Sequence, residues 1–260
     1  MFIAGIDLAA EPKGTALAVV DWQPDRATLV DLHLEATDQI IIEASGAVTK
    51  LGIDCALGWP VDFVNFIAGQ IADAGQIADS GSSVAAVPSP FSGDLELRRR
   101  LAYRETDRQV RAHTGRWPLS VSTDRLAMTA IRAAGILSQL TANGFDTDRA
   151  GSGFVVEVYP AASLRQWGFE FAGYRSSPNL RAELLGQLES RATWLSVGTQ
   201  RDALIASCDA FDSLLAALAT RAAQLGRYFA PVGQQLELAR REGWIALPNS
   251  PLEDLLQPVV

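Results

Sequence analysis

Three short apolar segments open the chain, and the links between them are too brief for anything but hairpins. Residues 2–9 (FIAGIDLA), 15–22 and 27–35 have the apolar, β-branched character of strands, with the turn Glu11-Pro12-Lys13-Gly14 after the first. A parallel pair would need a crossover of about a dozen residues or more, so these three form an antiparallel meander. Residues 38–49 read as a helix and 51–57 (LGIDCAL) as a fourth strand, closed by Gly58-Trp59-Pro60. A less regular region, about 61–151, follows. It holds a helix at 62–74, a Ser/Gly/Pro stretch at 80–93, an arginine-rich helix at 95–113 and a helix at 124–141. Residues 154–159 (FVVEVY) make a fifth strand that stops at Pro160. Helices follow at 161–167, 178–190 and 202–225, then a short apolar piece at 244–247. Strands four and five need crossovers and so run parallel to the first. The pattern is an α/β layered fold with a mixed sheet: one domain over 1–260, with a mainly helical insertion at about 61–151.

Composition narrows the classes. With 48% apolar and 20% charged residues the chain is ordinary globular protein. It has no apolar run of about 18 residues, so no membrane span is expected. The segment MFIAGIDLAA lacks a basic leader region and reads as structure, so a cytoplasmic location is expected. The two cysteines, Cys55 and Cys208, sit in apolar segments and read as core thiols. A net charge of −8 argues against a protein that coats nucleic acid, while leaving room for a local basic site.

Three carboxylates stand inside or at the end of apolar strands: Asp7 in AGIDLA, Asp54 in LGIDCAL and Glu157 in FVVEVYP. A buried carboxylate costs several kcal/mol, roughly, unless it is paired or metal-bound. Any one of them alone reads equally as a capped strand end or a salt-bridged core residue. Three on successive parallel strands can converge, because parallel strands end on the same sheet edge. In IASCDAFDSLLAALA the only charges are Asp209 and Asp212, three apart on one helix face. Like charges on a buried face need a counter-charge, and that stretch holds no lysine or arginine. A hard divalent cation, Mg²⁺ or Mn²⁺, suits carboxylate oxygen; the other reading turns one of the two acids to solvent. Only His33 and His113 are present and the cysteines lack ligand spacing, which argues against zinc and against a Ser-His-Asp triad. No Walker-A loop or GxGxxG fingerprint appears.

The second asymmetry is basic. Arg98, Arg99, Arg100, Arg104, Arg108, Arg111 and Arg116 crowd a short stretch of an acidic chain. At helical spacing Arg104, Arg108 and Arg111 continue the stripe of Leu97 and Leu101, and arginine forks match phosphate geometry. The alternative is a solvated helix paired internally through Glu105 and Asp107.

In their order, GIDLA, GIDCALGWP, YRETDRQVR, VEVYPAASL, CDAFDSLLAALATRAA and EGWIALP resemble the family called domain of unknown function 429, described as predicted nucleases with a ribonuclease-H-like fold. The resemblance implies a ribonuclease-H-like mixed sheet. It implies catalytic and metal-binding roles for Asp7, Asp54, Asp209 and Asp212, and a strand-five role for Glu157. The family's strand-five motif, E-V-H-P-E, departs here at Tyr159 and Ala161. The implied activity is phosphodiester hydrolysis with two metal ions ~4 Å apart, with Arg104, Arg108 and Arg111 holding the phosphate of a nucleic acid or another phosphate-containing substrate. Two alternatives stand beside it. One is an ATP-binding phosphotransferase of the actin/acetate-kinase group, suggested by the small residues and Thr15 after Asp7. The other is a non-catalytic binding module on the same fold.

Overall fold

In the computed structural model, residues 1–80 and 94–256 are described; of the expected Ser/Gly/Pro stretch only Ser80 falls among them. The chain runs β1 (Phe2–Asp7), β2 (Ala16–Trp22), β3 (Ala27–Leu34), α1 (Asp38–Ser45) and β4 (Lys50–Asp54). Four helices follow: α2 (Val61–Ser80), α3 (Leu95–Ala102), α4 (Glu105–Thr114) and α5 (Ala127–Ala142). Then come β5 (Val155–Glu157), α6 (Pro160–Gln166), α7 (Pro178–Arg191), β6 (Leu195–Ser196), α8 (Arg201–Ala206), α9 (Cys208–Gln224) and α10 (Gln234–Glu242).

The strands form one mixed sheet in the order β5-β4-β1-β2-β3-β6. The β1–β2–β3 meander is antiparallel, and β4 and β5 run parallel to β1. A sixth strand of two residues joins the far edge parallel to β3; it is too short to carry a periodic signal. The apolar piece at 244–247 extends the opposite edge, where Ile245 bridges Glu157 and the Ala246 amide donates to the Glu157 carbonyl at 2.8 Å.

Helices cover both faces of the sheet. One core packs Ile3, Val20 and Val156 against Phe211, Leu214 and Leu218 of α9 and against α6 and α7. The other packs Ile6, Leu17 and Ile53 against Ile41 of α1 and Ile136 and Leu140 of α5. Two glycines set how closely α9 approaches. A methyl group added at Gly5 would collide with the backbone of Ser213, Ala216 and Ala217, and one added at Gly52 with the Thr220 side chain. Only hydrogen at these positions lets the helix lie directly on β1 and β4.

Two expected helices are each broken. The 95–113 helix divides at Tyr103-Arg104, both extended. The 202–225 helix divides at Ser207, whose hydroxyl accepts the Ala210 amide at 3.2 Å as an N-cap. No helix among the described residues is long and apolar enough to cross a membrane.

Candidate functional site

The register of the parallel strands decides which acids meet. Asp7 pairs directly with Asp54, and Gly5 with Gly52, on the face that α9 covers. Glu157 pairs with Ile53, one residue out of step with Asp54. Because side chains alternate across a sheet, Glu157 leaves β5 on the opposite face. The Ser207 cap starts α9 just before Asp209 and Asp212, so both lie near the helix's N-terminus, where unpaired amides and the helix dipole favour negative charge. Since α9 sits tightly on Gly5 and Gly52, its start lies over the ends of β1 and β4. Asp7, Asp54, Asp209 and Asp212 thereby line one cavity of about 470 Å³, with Tyr159 and Arg175 also in its wall.

The four acids differ in their partners. Asp212 is buried and well held: it accepts the Tyr174 hydroxyl at 2.7 Å, pairs with Arg175 Nη2 at 3.0 Å and takes a long contact from Cys208 Sγ at 3.7 Å. The side chains of Asp7, Asp54 and Asp209 make neither a hydrogen bond nor an ion pair among the described residues. Burial, and then the neighbouring Asp54, Asp212 and Asp209, push the Asp7 carboxyl up to about 9. Burial and Asp212 push Asp54 up to about 8. Burial likewise raises Asp212 and Asp209, both tempered by Arg175, and raises the Cys208 thiol to about 12, so it is no ready nucleophile. Among the described residues, the ion pair made by these four carboxylates is the one between Asp212 and Arg175.

Glu157 and Arg104 are bonded to each other. Arg104 is buried and its five donors are taken: Nη1 and Nη2 bond Glu157 at 2.8 and 2.7 Å, Nη2 and Nε bond Asp107 at 2.9 and 3.2 Å, and Nη1 also bonds the Glu242 carbonyl at 3.1 Å. Glu157 also accepts the Leu57 amide at 3.0 Å. Both residues line the same cavity as the four aspartates, but as the chain stands Glu157 is bonded to Arg104 and the guanidinium donors of Arg104 are taken by Glu157, Asp107 and the Glu242 carbonyl. The arginine-rich helix breaks at the residue that enters this buried pair. Arg108 pairs with Glu105 at 3.6 Å, Arg111 is exposed, and neither lines the cavity. Arg99 and Arg100 pair with Glu96 and Asp62.

The counter-charge for the Asp209–Asp212 face is Arg175, which pairs with Asp212 from 37 positions before it. Its only local signal is Tyr-Arg before the capped start of α7. Arg125, exposed and without an ion-pair partner among the described residues, lies at the cavity wall as well. Thr15, the residue a phosphotransferase reading would place on phosphate, is buried. Its hydroxyl donates to the Glu11 carbonyl at 2.8 Å and accepts from the Ala9 amide and Arg132 Nη1.

The donor set suits a hard cation in its chemistry: two adjacent carboxylates without partners, a third nearby, and no soft ligand competent as a thiolate. As the side chains stand, with Arg175 on Asp212, no three His, Cys, Asp or Glu among the described residues are grouped to hold a metal ion. Residues 5–235 match the model of a family described as "Protein of unknown function (DUF429)". No curated protein and no solved structure matches the chain.

Proposed function

The chain belongs to the DUF429 family, and we propose that it is a metal-dependent nuclease of the ribonuclease-H-like class. The observation that carries this reading is the adjacent, unpartnered pair Asp7 and Asp54, opening into a cavity that also takes in Asp209 and Asp212. Carboxyls pushed to about 9 and about 8, first by burial and then by one another, mark a crowded acid site, and such perturbed carboxylates concentrate where a protein binds cations or moves protons.

Asp7 and Asp54 would hold Mg²⁺ or Mn²⁺, with Asp209 and Asp212 completing the oxygen set. A divalent ion bound there lowers the pKa of a water and neutralises charge on phosphate oxygens. The protein's own part is positional. The tight seat of α9 on Gly5 and Gly52 fixes the acids relative to one another, and Tyr174 holds Asp212 in one orientation. Arg175, and Arg125 at the wall, provide the positive charge that a phosphate needs beside four carboxylates. This role passes to them from Arg104, Arg108 and Arg111.

The test is turnover with Mg²⁺ or Mn²⁺ against single-stranded, duplex and branched DNA and RNA, beside Asp7→Asn and Asp54→Asn. Metal-dependent cleavage that both substitutions abolish is the expected result. Cleavage that survives Asp54→Asn would refute the assignment. Metal-induced stabilisation with no cleavage of any substrate would favour the non-catalytic binding module.

A further inference from the structure

The backbone and the side chain of Arg175 are held by different partners. Its backbone is fixed: the buried Arg181 donates through Nη1 to the carbonyls of Tyr174 at 2.8 Å and Arg175 at 3.1 Å, and through Nε and Nη2 to Ile205 and Ala206 at the end of α8. One guanidinium therefore ties the Tyr174-Arg175 turn to the segment that leads into α9. The Arg175 side chain is 53% exposed, whereas Asp212 beneath it is 1% exposed. Arg175 Nε donates to the Tyr174 hydroxyl at 3.2 Å, and the guanidinium lies 5.9 Å from the Tyr174 ring. Asp212 would keep its Tyr174 hydrogen bond if Arg175 swung away. The titratable and charged groups facing Arg175 include Asp7, Asp54, Asp209, Asp212, Tyr159, Tyr174 and Cys208.

We infer that Arg175 is an exchangeable internal cation: it competes with the divalent ion for Asp212, and on release offers its fork to a substrate phosphate. The inference rests on the metal-site reading above. The exchange conserves charge pairing. Before it, the Asp212 carboxylate meets a guanidinium; after it, the carboxylate meets the ion and the guanidinium meets a phosphate oxygen. Ion and phosphate therefore bind with positive coupling, and by linkage each raises the other's affinity by the same factor. A site wired this way holds its ion weakly until substrate arrives.

The experiment is calorimetric titration of Mg²⁺ into the wild type, R175Q and R175K, alone and with a phosphorothioate dinucleotide as the phosphate probe. With Mg²⁺ alone, R175Q should bind roughly tenfold more tightly than the wild type, a factor within the usual range of coupling, and R175K should resemble the wild type. The probe should tighten Mg²⁺ binding to the wild type and leave R175Q unchanged. If the wild type binds Mg²⁺ and R175Q binds it equally or more weakly, Arg175 is not a competitor and the inference falls, with the metal site intact. If none of the three proteins binds Mg²⁺, the metal reading itself falls.

Discussion

Replacing Asp7 by asparagine should stabilise the metal-free protein at neutral and alkaline pH, the opposite of what loss of a buried polar contact would do. In the unfolded chain the Asp7 carboxyl titrates at its ordinary 3.8; in the folded protein it holds its proton up to about 9. The folded state therefore binds a proton that the unfolded state releases. Its contribution to stability is fully present below pH 3.8 and is lost progressively as pH rises toward 9. The loss runs at up to about 1.4 kcal/mol per pH unit, giving about 4 kcal/mol at pH 7 as an upper bound. A gain of about 1–3 kcal/mol for Asp7→Asn at pH 8, well inside that bound, is expected. For a chain of this size that is a rise in Tm of roughly 3–10 °C. Asparagine mimics the protonated acid, so at pH 4 the two proteins should melt together. The assay is thermal and urea unfolding of both proteins with chelator present, from pH 4 to 9. A variant less stable than the wild type at pH 8, or a gain of constant size across the range, would refute the account of Asp7 as a crowded, unpartnered carboxylate.

Adding millimolar Mg²⁺ to the wild type at pH 8 should raise its melting temperature, because a ligand that binds only the folded state stabilises it by mass action. Asp54→Asn should blunt that rise. Gly52→Ala places a methyl on Thr220; circular-dichroism melts should show a loss of about 1–3 kcal/mol from overpacking together with a weaker response to Mg²⁺, since α9 carries Asp209 and Asp212. Arg104→Ala strands Asp107 and Glu157 without a counter-charge and should cost about 3–5 kcal/mol in urea unfolding. The partly exposed Arg108→Ala should cost under about 1 kcal/mol; equal losses for the two would contradict their assigned places.

Much of this protein is legible in its residues, for a physical reason: strand periodicity, turn chemistry and link length are local properties. The meander, the parallel placement of the fourth and fifth strands, and the apolar settings of Asp7, Asp54, Asp209 and Asp212 all follow from runs of a few residues. The breaks at Tyr103-Arg104 and Ser207 escape the same reasoning. At the first, Arg104 meets Glu157, 53 positions away. The second is a serine that either continues or caps a helix according to what packs beyond it. Register lies further out of reach. FVVEVY slides by one residue against LGIDCAL without changing either sequence, and that slip alone decides whether Glu157 joins Asp54 or turns to the opposite face. The counter-cation is equally a matter of the folded chain. Arg175 meets Asp212 because Arg181 anchors its turn against the end of α8, a contact that no spacing rule encodes. Residue order states which groups are available and which elements carry them. Packing assigns the positions from which charges pair across a core, and so it gives Arg104 to Glu157 and Asp107 and sets Arg175 among the carboxylates.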